Sequence, residues 1–163
     1  VIGNDVVDIE QAEKESNWQR RGFLDKLFTT REQDFILSSA NPGQTVWVLW
    51  SMKESAYKIY NRETGIRAFM PKRLECYIEV NEKNTCSGIV TAGSFLCYCT
   101  TTIKNKMVDT IAVRYKTDLE KVATVSSGIF KDHHGLPYVL EGEDLRPVSV
   151  SHHGKCYKAV KLL

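Results

Sequence analysis

The 163 residues match one ordinary domain in length, and a chain that is 42% hydrophobic and 26% charged has globular composition, which excludes a disordered polymer. Twenty-two Lys and Arg against 20 Asp and Glu leave a net charge of +2, no electrostatic case for nucleic acid. The longest apolar run, Val46 to Trp50, is far shorter than the ~20 residues of a membrane helix, so no membrane partner is expected.

The chain opens on Val1, which leaves room for a leader or tag, and no basic-then-apolar secretory signal follows. Residues 1–9 are a β-branched run that reads as a strand. Asp8 and Gln11 have cap spacing, which predicts a helix running to about Arg21. Thr29 and Glu32 have capping-box spacing ahead of Phe35-Ile36-Leu37, so a short helix is expected over about 30–39. Asn41-Pro42-Gly43 reads as a turn before a long helix from about Gln44 to Tyr60.

From Leu74 the period becomes two, and runs near 74–80, 87–91, 95–103 and 108–115 predict a four-strand antiparallel meander. A brief strand led by Gly135-Leu136-Pro137 and two closing strands, 148–152 and 156–162, complete one α+β domain over residues 1–163. Its antiparallel sheet is expected to pack on the long helix and on shorter ones. Five cysteines, odd in number and without a Cys-x-x-Cys pair, fit a reducing cytoplasm. Cys97 and Cys99 share a strand face but have no second pair at zinc spacing, so they read as core thiols.

Three places carry chemistry. Asp5 lies in an apolar strand beside Val7 and Ile9, as a strand-end aspartate or as a metal ligand neutralised by its cation. In the long helix Leu49, Met52, Ala56, Ile59 and Tyr60 form an apolar stripe, with Glu54 and Lys58 opposite, one turn apart. That pair is either a surface stabiliser or part of a site. Lys53 falls at the stripe's edge, an odd place for an ammonium unless it reaches a phosphate. Alternation puts Ser149, Ser151 and His153 on one face of a strand and His152 on the other, so His152 and His153 cannot chelate one ion together. Ser151 and His152 read either as loop groups or as phosphate donors.

Together, Gly3-Asn4-Asp5, Trp50-x-x-Lys53-Glu54-Ser55-x-x-Lys58, Gly135-Leu136-Pro137 and Ser149-Val150-Ser151-His152 resemble the 4′-phosphopantetheinyl transferases. Their order is that of the holo-acyl-carrier-protein synthases, and residues 22–32 are similar to the stretch before the second helix of those enzymes. The middle departs from them: the 74–115 strands look more like the larger surfactin-type transferases. No acidic residue stands two positions after Asp5, and Leu136 replaces a lysine common before that proline in the larger type.

The resemblance implies transfer of 4′-phosphopantetheine from coenzyme A to a serine of an apo acyl or peptidyl carrier protein, releasing 3′,5′-ADP. It implies Mg²⁺ on Asp5 and Glu54, with Glu54 as base and Lys58 as the second catalytic group. Coenzyme A would meet Lys53, Lys58, Gly65, Pro137, Ser151 and His152. Acidic carriers would meet Arg20, Arg21 and Lys26. One set of motifs in one chain implies a homo-oligomer, a trimer by analogy with the short synthases, in which neighbouring subunits complete each site. Two rivals stand beside it. One is a metal-dependent nuclease, in which Glu and Lys are two rather than four apart. The other is a non-catalytic module that binds carrier protein or coenzyme A.

Overall fold

A computed structural model describes all 163 residues as two five-stranded antiparallel sheets and a small helical layer. Strand β1 (Ile2–Asp8) leads into helices α1 (Ile9–Glu15), α2 (Phe23–Leu27), α3 (Thr30–Ser38) and α4 (Pro42–Thr64). Strands β2 (Glu75–Asn81), β3 (Thr85–Ala92), β4 (Phe95–Lys104) and β5 (Met107–Val113) form the meander expected from their alternation. With β1 they make the first sheet, in the order β1-β5-β4-β3-β2. Strands β6 (Val122–Thr124), β7 (Ile129–Lys131), β8 (Pro137–Glu141), β9 (Asp144–His153) and β10 (Cys156–Leu162) make the second, in the order β6-β10-β9-β8-β7.

The helix starts follow their caps. Asp8 accepts the Gln11 amide, and the Thr29/Glu32 capping box is complete. Helix α4 begins two residues earlier than its pattern suggested, because Asn41 caps it through the Gln44 amide and Pro42 sits in the first turn, where no N–H is needed. Helix α1 stops at Glu15, well short of Arg21. Asn17 draws the chain into a turn instead, accepting the Gln19 amide on its side chain and the Arg20 amide on its carbonyl.

Leu49, Met52, Ala56 and Ile59 press α4 into the first sheet, against a core that includes Cys76, Val90, Cys97, Val108 and Ala112. All five cysteines are free and buried. The Sγ atoms of Cys97 and Cys99 lie 4.0 Å apart, and Cys97's hydrogen bond together with burial pushes the Cys99 thiol well up. A protonated core thiol is the result, in keeping with the core reading. No helix is long and apolar enough to cross a membrane.

Gly3 sets how closely β1 approaches α4. A Cβ there would lie 2.0 Å from the backbone oxygen of Ser55, so any side chain would push the strand off the helix. Asp5, two residues on, faces the same helix for this reason.

Candidate active site

Asp5, Glu54 and Lys58 converge where β1, α4 and β9 meet. Lys58 Nζ lies 3.9 Å from Asp5 Oδ1 and donates to the carbonyls of Asn4 and Val150 (3.0 Å to the latter). Ser151 Oγ donates to the same Asp5 oxygen at 2.8 Å. Asp5 and Glu54 line one cavity of about 280 Å³, together with Glu15, Trp47, Trp50, His152 and His153. Lys58 instead opens on a groove of about 660 Å³ with Asn61, Arg62, Lys131, Pro137 and His152. The exposed His152 lines both, so the carboxylate cavity and the basic groove adjoin.

Burial raises the Asp5 carboxyl, only partly offset by Lys58 and Ser151. Burial and the nearby Asp5 charge push Glu54 up to about 7. Burial also lowers Lys58, against the pull of the two carboxylates. Two half-buried carboxylates with one shared ammonium are short of positive charge.

No trio of His, Cys, Asp and Glu side chains is arranged to hold a metal by protein ligands alone. Two hard carboxylates do fit an ion such as Mg²⁺, which commonly takes its other ligands from phosphates and water.

Two expected coenzyme A contacts need correction. Lys53 is 0% exposed, and its ammonium donates to Glu32 Oε2 at 2.8 Å and to the carbonyls of Pro71 (2.7 Å) and Leu74 (2.8 Å). All three of its donors are spent inside the protein, so it cannot reach a phosphate. Ser151 is also buried, and its single O–H is given to Asp5.

The remaining expected residues lie as follows. Pro137 and His152 line the groove. Gly65 is the left-handed C-cap of α4, with φ 72°, and stands outside the groove lining. Arg20, Arg21 and Lys26 are all exposed, but on the turn after α1 and in the last turn of α2 rather than on a first long helix. Strand β9 of the same chain brings Ser151 and His152 to the cavity of Asp5, and β8 brings Pro137 to the groove of Lys58, so these residues meet within one chain.

Arg62 escaped the sequence reading. It lies one turn beyond Lys58, donates to the carbonyls of Pro137 and Val148 at 3.0 Å each, and sits 4.8 Å over the Tyr138 ring. It thereby ties the groove's far wall to α4. The i, i+4 series Glu54, Lys58, Arg62 was the available signal.

Residues 1–115 match the family model of the 4′-phosphopantetheinyl transferase superfamily, a stretch that holds Asp5, Glu54 and Lys58. The chain belongs to that superfamily. It is a phosphopantetheinyl transferase by family, and its relatives include a holo-[acyl-carrier-protein] synthase of Fusobacterium nucleatum, 33% identical over 90 residues. That match covers 50% of this chain and 70% of the relative. A synthase of the same name from Caldanaerobacter subterraneus is 32% identical over 74 residues, or 45% of this chain and 56% of the relative. The crystal structure of the synthase from Neisseria meningitidis shares the fold, with a TM-score of 0.52 at 12% identity, covering 71% of this chain and 97% of that one. The transferase family match ends before β8 and β9, so Pro137, Ser151 and His152 rest on geometry and on their motifs.

Proposed function

We propose that the protein catalyses Mg²⁺-dependent transfer of 4′-phosphopantetheine from coenzyme A to a serine of an apo acyl or peptidyl carrier protein, releasing 3′,5′-ADP. One observation carries the reading: Asp5, Glu54 and Lys58 meet at the junction of a carboxylate cavity and a basic groove within a single chain.

Asp5 and Glu54 would hold the ion. When bound, it neutralises charge on the diphosphate as the phosphoanhydride opens. Glu54, the second carboxylate of the cavity, takes the proton of the attacking serine. Lys58 spends two donors on Asn4 and Val150, which fixes its stem and leaves one N–H for the transferring phosphate. His152 stands where the diphosphate would cross from groove to cavity, with Lys131 further along the groove for a nucleotide phosphate. Pro137, held by Arg62, gives the adenine a flat apolar edge. Arg20, Arg21 and Lys26 supply a basic surface for an acidic carrier. Five buried, unpaired thiols suit a cytoplasmic setting.

Incubation with coenzyme A, Mg²⁺ and a panel of apo carriers from fatty-acid, polyketide and peptide synthetases tests the reading by intact mass. One carrier is expected to gain the mass of a phosphopantetheinyl group on a single serine. Carriers that bind without gaining mass would identify a non-catalytic module instead.

A further inference from the structure

β1 is an edge strand of the first sheet, with β5 as its only ladder partner, and β9 is laddered to β8 and β10. Three amides on the free edge of β1 are nevertheless satisfied. Asn4 N donates to Ser149 Oγ at 2.8 Å, Val6 N to Ser151 Oγ at 3.0 Å, and Asp8 N to His153 Nδ1 at 3.0 Å. Every second residue of β9 thus supplies a side-chain acceptor to every second amide of β1. Side chains, rather than a backbone ladder, set the register of one sheet on the other.

The middle tooth of this comb differs from its neighbours. Ser151 accepts from Val6 and also donates to Asp5 Oδ1 at 2.8 Å. Its single O–H is consumed there, so donating to a phosphate would mean releasing Asp5. Lys58 approaches the same oxygen, at 3.9 Å, so Ser151 and Lys58 both engage Oδ1, while Ser51 donates to the Asp5 backbone carbonyl at 3.3 Å and also lowers its carboxyl.

We propose that Ser151 is a positioning residue. It turns Asp5 so that Oδ2 is presented to the cation, while the comb of Ser149, Ser151 and His153 holds β9 at the register that keeps His152 on the groove. The cation part of this inference rests on the function proposed above.

Three variants test it: Ser151→Ala, Ser149→Ala, which loses a tooth without touching Asp5, and Ser151→Thr, which keeps the hydroxyl. Both alanine variants should lower the melting temperature by similar amounts. Only Ser151→Ala should shift the ¹³C resonance of the Asp5 carboxyl in metal-free protein and weaken binding of Mn²⁺ alone, by about tenfold or more as for other residues that orient a ligand. Ser151→Thr should restore both. In EDTA, Ser151→Ala should weaken coenzyme A binding no more than Ser149→Ala, since each loses one tooth of the same comb. An unmoved Asp5 resonance in Ser151→Ala, equal Mn²⁺ losses in both alanine variants, or a coenzyme A affinity in EDTA lost in Ser151→Ala but kept in Ser149→Ala overturns the inference. A wild-type protein that binds no Mn²⁺ overturns the metal site itself, and the carboxyl resonance then decides the role of Ser151. If Ser151→Ala does not fold, Ser151→Cys, a far weaker donor, takes its place in the same measurements.

Discussion

Glu54→Gln is expected to remove transfer, by about a thousandfold from loss of the base alone, while stabilising the metal-free protein above neutral pH. The two effects share one cause. Burial and the Asp5 charge raise the folded carboxyl from 4.5 to about 7, so between those values the folded state binds the proton more tightly than the unfolded chain. The stability contributed by that proton is complete below pH 4.5 and is lost as pH rises through 7. Taken at face value the shift is worth about 3 kcal/mol, and solvent at the partly exposed carboxylate reduces this to roughly 1–2 kcal/mol. Glutamine removes the penalty. At pH 8 without divalent ions the variant should melt a few degrees above wild type, and at pH 4 the two should coincide. Mg²⁺ at pH 8 should raise the melting temperature of wild type and not of the variant. A variant that keeps wild-type turnover would contradict the assignment of Glu54.

Lys53→Met is expected to cost about 3–5 kcal/mol of folding stability, because it strands the Glu32 carboxylate in the core. Glu32 is 1% exposed, and it accepts from Lys53, from the Thr29 amide at 2.8 Å and from the Cys76 amide at 2.7 Å. The pair therefore locks α3, α4 and the start of β2 together, one residue before Glu54. Adding Glu32→Gln to Lys53→Met should recover part of the loss, since burying neither charge avoids the desolvation cost of both. Urea unfolding of the two variants measures this. A Lys53→Met protein as stable as wild type but deficient in coenzyme A binding would return Lys53 to the phosphate site.

Much of this was legible in the chain because it depends on local periodicity. The stripe through Leu49, Met52, Ala56 and Ile59 announced α4 and put Glu54 and Lys58 on its open side. Thr29 and Glu32 announced α3, and alternation announced β2 to β5. Strands β6 and β7 have three residues each, too few for any period to show. Lys53 was visible as an anomaly, but its partner lies 21 residues away on another helix, and spacing cannot report that. Alternation grouped Ser149, Ser151 and His153 on one face without revealing that the face meets the edge of β1. Arg62 lies beyond the expected helix end at Tyr60, and its partners, the carbonyls of Pro137 and Val148, are supplied by β8 and β9 far along the chain.

Anomalous diffraction from crystals grown with Mn²⁺ and coenzyme A tests the shared-cation site most directly. The expected result is one Mn²⁺ peak in contact with carboxylate oxygens of both Asp5 and Glu54, with the coenzyme A diphosphate beside Lys58 and the nucleotide in the groove of Arg62 and Pro137. A peak that touches only one of the two carboxylates, or coenzyme A bound outside that groove, would contradict it.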